Sequence, residues 1–264
     1  MRRSVFFLSI LFFMASPILM SQGRAGFYGS SPTGLLELER KYPYYLFVPP
    51  DYTPEKGWPL VVLLSRTGEE PEEIAKQWMD WAKRNQLLLL VGSVFPREGS
   101  VPDETDRWWI RIKQEVIERY HVATSQILLL GIEDADSYAA YLAIRYPEEF
   151  SAAALFRQAS PGAYDKLLKV SSDPARQIPF YMAADPEAMS YPETEAWAAV
   201  LEKKGYPVVL ESLKKDEDFF AHRDRMIQWF LEGTEARAAR RAKPKTKGGV
   251  KRIFEEMRKN IFGN

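Results

Sequence analysis

Apolar residues recur along the chain in two alternating rhythms, short unbroken runs and longer segments with helical spacing. Residues 44–48, Tyr-Tyr-Leu-Phe-Val, predict a strand stopped by Pro49 and Pro50. Residues 60–64, Leu-Val-Val-Leu-Leu, are continuously apolar, as a strand covered on both faces must be. Another buried strand is predicted at 87–91, and further strands at 127–130, 152–156, 179–183 and 208–212. Between them lie helical patterns. Residues 74–84 place Ile74, Trp78 and Trp81 on one stripe, with Pro71 near the start. Residues 109–120 do the same through Ile110, the stem of Lys113, Val116, Ile117 and Tyr120. Residues 136–146, 194–204 and 223–231 complete the series. Strand–helix alternation over this length predicts an α/β fold, a mostly parallel sheet with helices on both faces.

The two ends break the rhythm. Met1-Arg2-Arg3 supplies positive charge, residues 5–14 are apolar except Ser9, and Ala15-Ser16-Pro17 precedes a polar stretch. That order is the pattern of an export signal, either cleaved or kept as an N-terminal anchor, and both place the body outside the cytoplasm. The expected division is therefore 1–25 signal or anchor, 26–234 the folded domain, and 235–264 a basic linker with a short amphipathic helix. The last segment carries ten Lys/Arg against three Asp/Glu, and Val250, Ile253, Phe254, Met257 and Ile261 share one helical face.

Composition narrows the chemistry. The net charge of zero is a cancellation: residues 26–234 hold 23 Lys/Arg against 33 Asp/Glu, an acidic body beside a basic tail. There is no cysteine, which excludes disulfides, thiol catalysis and iron–sulfur ligation. Only two histidines, His121 and His222, are present, so a histidine-rich metal centre is excluded too. No cofactor and no metal are expected.

The stretches Tyr44-Tyr45-Leu46-Phe47-Val48-Pro49, Asp51-Tyr52 and Trp58-Pro59-Leu60-Val61-Val62-Leu63-Leu64 resemble the opening of secreted α/β-hydrolase esterases. The group is that of feruloyl esterases, polyhydroxyalkanoate depolymerases and dienelactone-hydrolase-like proteins. Residues 127–156, down to Arg145-Tyr146-Pro147-Glu148-Glu149-Phe150, resemble its strand, nucleophile elbow and helix. The resemblance covers residues 36–231 and implies an α/β-hydrolase fold.

It also implies where catalysis would sit, and there the residues depart from it. The family has Gly-x-Ser-x-Gly on a strained turn between strand and helix. Here the turn reads Gly131-Ile132-Glu133-Asp134-Ala135, with Glu133 at the nucleophile station. A carboxylate attacking an ester yields an anhydride no more stable than its precursor, so serine-type hydrolysis is excluded at this position. The family's His-Gly-Gly, which helps form the oxyanion hole, is replaced by Ser65-Arg66-Thr67-Gly68. The histidine station falls on Asp218, with His222 four residues late, and Asp185 keeps the acid station.

Two functions fit these residues. The first is a catalytically inactive pseudo-esterase acting as an exported binding or scaffold protein. The alternative is a hydrolase of ester-type substrates with a rearranged, non-serine site. In that alternative Glu133 is the nucleophile, and His222, oriented by Asp185, activates water. A third use of Glu133, with Asp134 and Asp218, is to bind a cation. The expected ligand cleft comprises Ser65, Arg66, Trp108, Glu133 and Asp134. An acidic set of Glu133, Asp134, Asp136, Asp185, Asp216, Glu217 and Asp218 is expected at the carboxyl end of the sheet, either as a ligand site or as solvated charge. Trp108-Trp109 reads as a cleft wall or as packing, and His121 falls before a strand, at the opposite edge. The partner is an unidentified ligand or envelope component; export argues against nucleic acid. The basic tail either folds onto the acidic body or meets an anionic surface. In the second case the full chain binds anionic vesicles more tightly than neutral ones in a sedimentation assay, and the preference fades with salt. Equal binding to both vesicle types would leave the basic residues as merely solvated.

Overall fold

The structure is a computed structural model that describes residues 32–39, 42–65, 68–96, 102–157, 162–213 and 219–242. The N-terminal signal or anchor, Arg66, the acidic Asp216, Glu217 and Asp218, and the tail beyond Ala242 lie outside the described residues.

Eight strands form one sheet: β1 (Gly34–Glu37), β2 (Tyr44–Val48), β3 (Trp58–Leu64), β4 (Leu88–Gly92), β5 (Val122–Ile132), β6 (Ala152–Phe156), β7 (Phe180–Ala184) and β8 (Val208–Ser212). Their spatial order is β1-β2-β4-β3-β5-β6-β7-β8. The first two strands pair antiparallel; from β4 to β8 every pairing is parallel. The crossovers carry α1 (Pro71–Arg84), α2 (Asp103–Arg119), α3 (Ala135–Arg145) and α4 (Tyr191–Lys203), and α5 (Phe219–Ala242) succeeds the last strand.

Alternate residues of each parallel strand enter two separate cores, one on each face of the sheet. Leu129, Leu155, Phe180 and Met182 meet α2, α3 and α4 through Trp109, Val116, Tyr138, Leu142, Trp197 and Leu201. Leu128, Leu130, Phe156 and Tyr181 meet α1 and α5 through Ile74, Trp78, Trp81, Met226 and Phe230. The stripe expected on α1 is buried as its spacing required. That of α2 is turned slightly, so that Trp109, Ile112, Lys113 and Val116 are buried while Ile110 and Ile117 are only half-buried. Arg223 of α5 lies over the Trp78 and Trp81 rings at 5.5 and 5.9 Å, tying α5 to α1.

Three boundaries differ from the expectation. The short strand β1 has no strong apolar pattern and exists because β2 offers it a free edge. Strand β5 starts at Val122 rather than 127: Trp58 pairs with Val122, and a register shift intervenes before Leu60 pairs with Ile127. Helix α5 crosses the expected boundary at 234/235 without a break, so the first residues of the expected linker are helical. Thr234 is buried, its hydroxyl accepting from Gln126 Nε2 at 3.1 Å, which makes it part of the packed domain.

Two charges are buried beneath α2, and each is compensated. The Lys113 ammonium, 3% exposed, pairs with the Glu149 carboxylate and donates to the Glu149 carbonyl at 3.1 Å. Asp106 is fully buried and accepts from the hydroxyls of Tyr138, Tyr141 and Tyr146 at 2.7, 2.9 and 3.0 Å. Burial raises its pKa above the usual carboxylate value, and the three tyrosine donors oppose that rise. A raised folded-state pKa means that the folded chain holds this proton when the unfolded chain, at about 3.9, has lost it. Asp106 therefore withdraws stability as pH climbs from there through its folded value. Asp106→Asn is expected to remove that fall from a series of urea denaturations taken across the acid range. Asp106→Ala, which strands buried tyrosine hydroxyls, is expected to cost about 1–3 kcal/mol at low pH and less as pH rises, because the wild-type chain itself loses stability there. An unchanged pH profile in the Asn variant would contradict the assignment.

Candidate functional site

Strand β5 ends at Ile132, and α3 begins at Ala135 after two intervening residues. Glu133 makes this turn in the left-handed region, φ 58°, where a residue with a Cβ is strained by about 1–2 kcal/mol. The turn is locked from three sides. The Glu133 N–H donates to the Phe156 carbonyl at 2.8 Å, and the Asp136 N–H to the Glu133 carbonyl at 3.1 Å. The buried Asp136 carboxylate accepts the Phe156 N–H at 2.8 Å. Gly131 is required here because α3 passes too close for a side chain. A Cβ would stand 2.7 Å from Ala139 Cβ and 2.9 Å from Asp136 Cα.

Glu133 lies at the carboxyl edge of the sheet, between strand and helix. Its side chain is 23% exposed, and Oε1 accepts from Arg157 Nη1 at 2.6 Å. Arg157, 55% exposed, comes directly after β6 and is itself at φ 93°. The last rung of the β5–β6 ladder pairs Ile132 with Phe156, so the two strained residues are the next opposing pair. Sequence reasoning missed Arg157. The available signal was that the residue after the strand at 152–156 must emerge at the same edge as Glu133.

The other expected site residues are employed in several ways. Ser65 was expected to line a cleft; instead it is buried, with its N–H and hydroxyl both donated to the Gly92 carbonyl, at 3.0 and 3.1 Å. The tight parallel pairing of β3 with β4 leaves no room for it to face a ligand. Trp108 is half-buried rather than a free wall: its indole N–H donates to Glu39 Oε2 at 3.2 Å, and its ring meets Tyr44 edge-on at 5.8 Å and Trp109 at 5.0 Å. Asp134 is exposed at the N-cap of α3 without a side-chain capping bond. Asp136, expected among acids facing solvent or ligand, is buried inside the turn, because the Phe156 N–H has to be satisfied there. Asp185 comes after β7, and its Oδ1 accepts the Glu187 N–H at 2.8 Å to close a tight turn.

His222, the alternative base, lies in the first turn of α5 and is fully buried. Its ring nitrogens face Arg225 Nη2 at 2.6 and 2.9 Å, and Nδ1 lies 3.6 Å from Glu211 Oε2. Glu211 Oε2 also accepts from Tyr181 at 2.7 Å and from Arg225 Nε at 3.2 Å. This cluster belongs to the α1/α5 face, whereas α3 packs on the opposite one. His121 lies before β5 at the opposite edge, with Nδ1 2.7 Å from the Pro54 carbonyl. Among the described residues no group of three or more His, Asp or Glu is arranged to hold a metal ion.

Replacing Gly131 by alanine drives a methyl into the α3 backbone, and overpacking of this kind costs about 1–3 kcal/mol. The expected result is a matching fall in the urea midpoint, and an unchanged midpoint would mean that the elbow is looser than its geometry.

No protein-family model matches the sequence, and no curated protein is significantly similar to it. Solved structures are similar. A thermostable esterase matches over 75% of this chain with a TM-score of 0.55 and 19% identity, and the chain spans 62% of that protein. The fluorophosphonate-binding serine hydrolase FphF of Staphylococcus aureus matches over 77% of this chain and 99% of its own, with a TM-score of 0.56 and 11% identity. The S-formylglutathione hydrolase FrmB of the same organism matches over the same shares, with a TM-score of 0.56 and 10% identity. At these identities the likeness is one of fold. The eight-stranded, mostly parallel sheet with helices on both faces and this likeness agree: the chain has the α/β-hydrolase fold.

Proposed function

We propose that the chain is a pseudo-esterase: an exported binding or scaffold protein that keeps the hydrolase framework without its acyl-transfer chemistry. The observation that carries this reading is Glu133. It occupies the strained turn at φ 58°, and its carboxylate is paired with Arg157. An ion-paired carboxylate is a weaker nucleophile than a free one, because the guanidinium stabilises the charge that attack would consume. The position of His222 supports the same reading. A base working with Glu133 has to reach the α3 side of the sheet, and His222 is buried on the other face among Arg225 and Glu211. Asp185 spends its Oδ1 on a turn N–H rather than on a histidine. Export rests on the basic, apolar and small-residue order of residues 1–25.

A serine-directed fluorophosphonate probe and a panel of short-chain aryl esters test the reading. The expected outcome is neither labelling nor turnover in the wild-type chain. Glu133→Ser is expected to stay inactive as well, since removing a single triad member from an intact site already costs about 10⁴- to 10⁶-fold in rate, and base and oxyanion groups are missing here too. Turnover in the wild-type chain that is abolished by Glu133→Ala would establish the alternative, a hydrolase with a rearranged, non-serine site. Turnover abolished by one serine substitution would overturn the pseudo-esterase reading, and activity gained by Glu133→Ser would contradict the absence of a base and an oxyanion site.

A further inference from the structure

The crossover between β6 and β7 carries two short 3-10 turns, Gly162–Leu167 and Pro174–Arg176, which leave a groove against the C-terminal half of α3. It encloses about 590 Å³ between Pro102 and Asp103 of the α2 start, Tyr141, Ile144 and Arg145 of α3, and the segment from Leu167 to Arg176. Small-molecule sites commonly fall between about 300 and 1,000 Å³. Glu133 precedes the first turn of α3 and Arg145 ends the helix, so at about 1.5 Å per residue the two lie about 18 Å apart along its axis. The groove is thus separate from the elbow, and its chemistry is independent of the role of Glu133.

Its lining is divided. Ile144, Leu167, Leu168, Val170 and the Tyr141 ring supply an apolar floor. Leu167 is 50% exposed, one of few large apolar side chains left so open among the described residues. Arg145, Lys169 and Arg176 supply three exposed cationic ends. Arg145 lies over the Tyr146 ring at 5.6 Å and bonds the Tyr141 and Tyr146 hydroxyls, which fixes its guanidinium at the groove. Such a gathering of cations runs against the body as a whole, where acidic residues exceed basic ones. Among the described residues the lining holds one carboxylate, Asp103, and Tyr141 also bonds a second, Asp106, held by three tyrosine hydroxyls. The cations at the groove outnumber the acids among the described residues, which suits an anionic head group. Arginine forks match a carboxylate bidentately, and the open Leu167 with the half-buried Leu168 and Val170 leaves apolar surface that a hydrocarbon chain would cover.

We propose that this groove is a binding site for an anionic amphiphile, an aliphatic carboxylate. Its head group is held by Arg145, Lys169 and Arg176, and its chain lies on Ile144, Leu167, Leu168 and Val170. Binding is reversible and involves no covalent step.

Octanoate is the probe, titrated into the full chain by calorimetry and by amide-resolved NMR. The expected result is saturation at one site, with shifts gathered at residues 141–145 and 167–176. Octanol, which has the chain without the charge, is expected to bind at least tenfold more weakly, and so is inorganic phosphate, which has charge without the chain. Lys169→Glu combined with Arg176→Glu reverses charge at exposed positions and is expected to cut octanoate affinity at least tenfold while leaving the thermal midpoint unchanged. Lys169→Gln with Arg176→Gln is expected to do the same without any new repulsion. Octanoate and octanol binding equally, phosphate binding as well as octanoate, shifts centred on residues elsewhere, or full affinity in the glutamine variant would each overturn the proposal.

Discussion

The buried Asp136 carboxylate accepts the N–H of Phe156, and the carbonyl of the same Phe156 accepts the N–H of Glu133. This pair of bonds welds the end of β5, the first turn of α3 and the end of β6 into one unit. Once β5 and β6 pair in parallel, the edge groups of Phe156 are left inside the protein, where an unsatisfied one costs about 1–3 kcal/mol. Asp136 supplies the missing acceptor, and it can do so only if α3 starts tight against the strand. That closeness removes the side chain at position 131 and forces Glu133 into the left-handed region. The strained turn is thus a packing result, and it persists whatever side chain stands at its tip.

The same constraint fixes the electrostatics at the sheet edge. Glu133 and Arg157 each come after the last paired residue of neighbouring strands, so their side chains leave the sheet together and meet at 2.6 Å. A partly exposed pair of this kind contributes little to stability, about 0–1 kcal/mol. Its consequence is chemical. The turn between β5 and α3 presents an ion pair, and His222 is held on the other face by Arg225 and Glu211. Two charges buried with α2, Asp106 and Lys113, each have partners, three tyrosine hydroxyls for the first and Glu149 for the second. Both of those bind α2 to neighbouring segments, and neither stands at the elbow.

The sequence by itself determined the layered architecture. Unbroken apolar runs at 60–64, 87–91 and 152–156 can be satisfied only by strands covered on both faces, and the Ile74, Trp78 and Trp81 stripe only by a helix with one side buried. It also determined that position 133 lies between a strand and a helix and holds a carboxylate, because both facts are local to a few residues. Tertiary structure decided the rest. The partner of Glu133 stands 24 residues away, and only the β5–β6 register brings it near. Asp136 and Ser65 read as polar groups free to meet a ligand, yet Asp136 accepts the Phe156 N–H and Ser65 donates to the Gly92 carbonyl, both on neighbouring strands. The Asp106 cage gathers tyrosines 32 to 40 residues distant. Helix α5 runs past the composition change at residue 235 because a helix ends where packing and capping end it, and Thr234 still has Gln126 to meet. Periodicity is a property of neighbours in sequence, whereas the satisfaction of a buried polar atom is a property of neighbours in space.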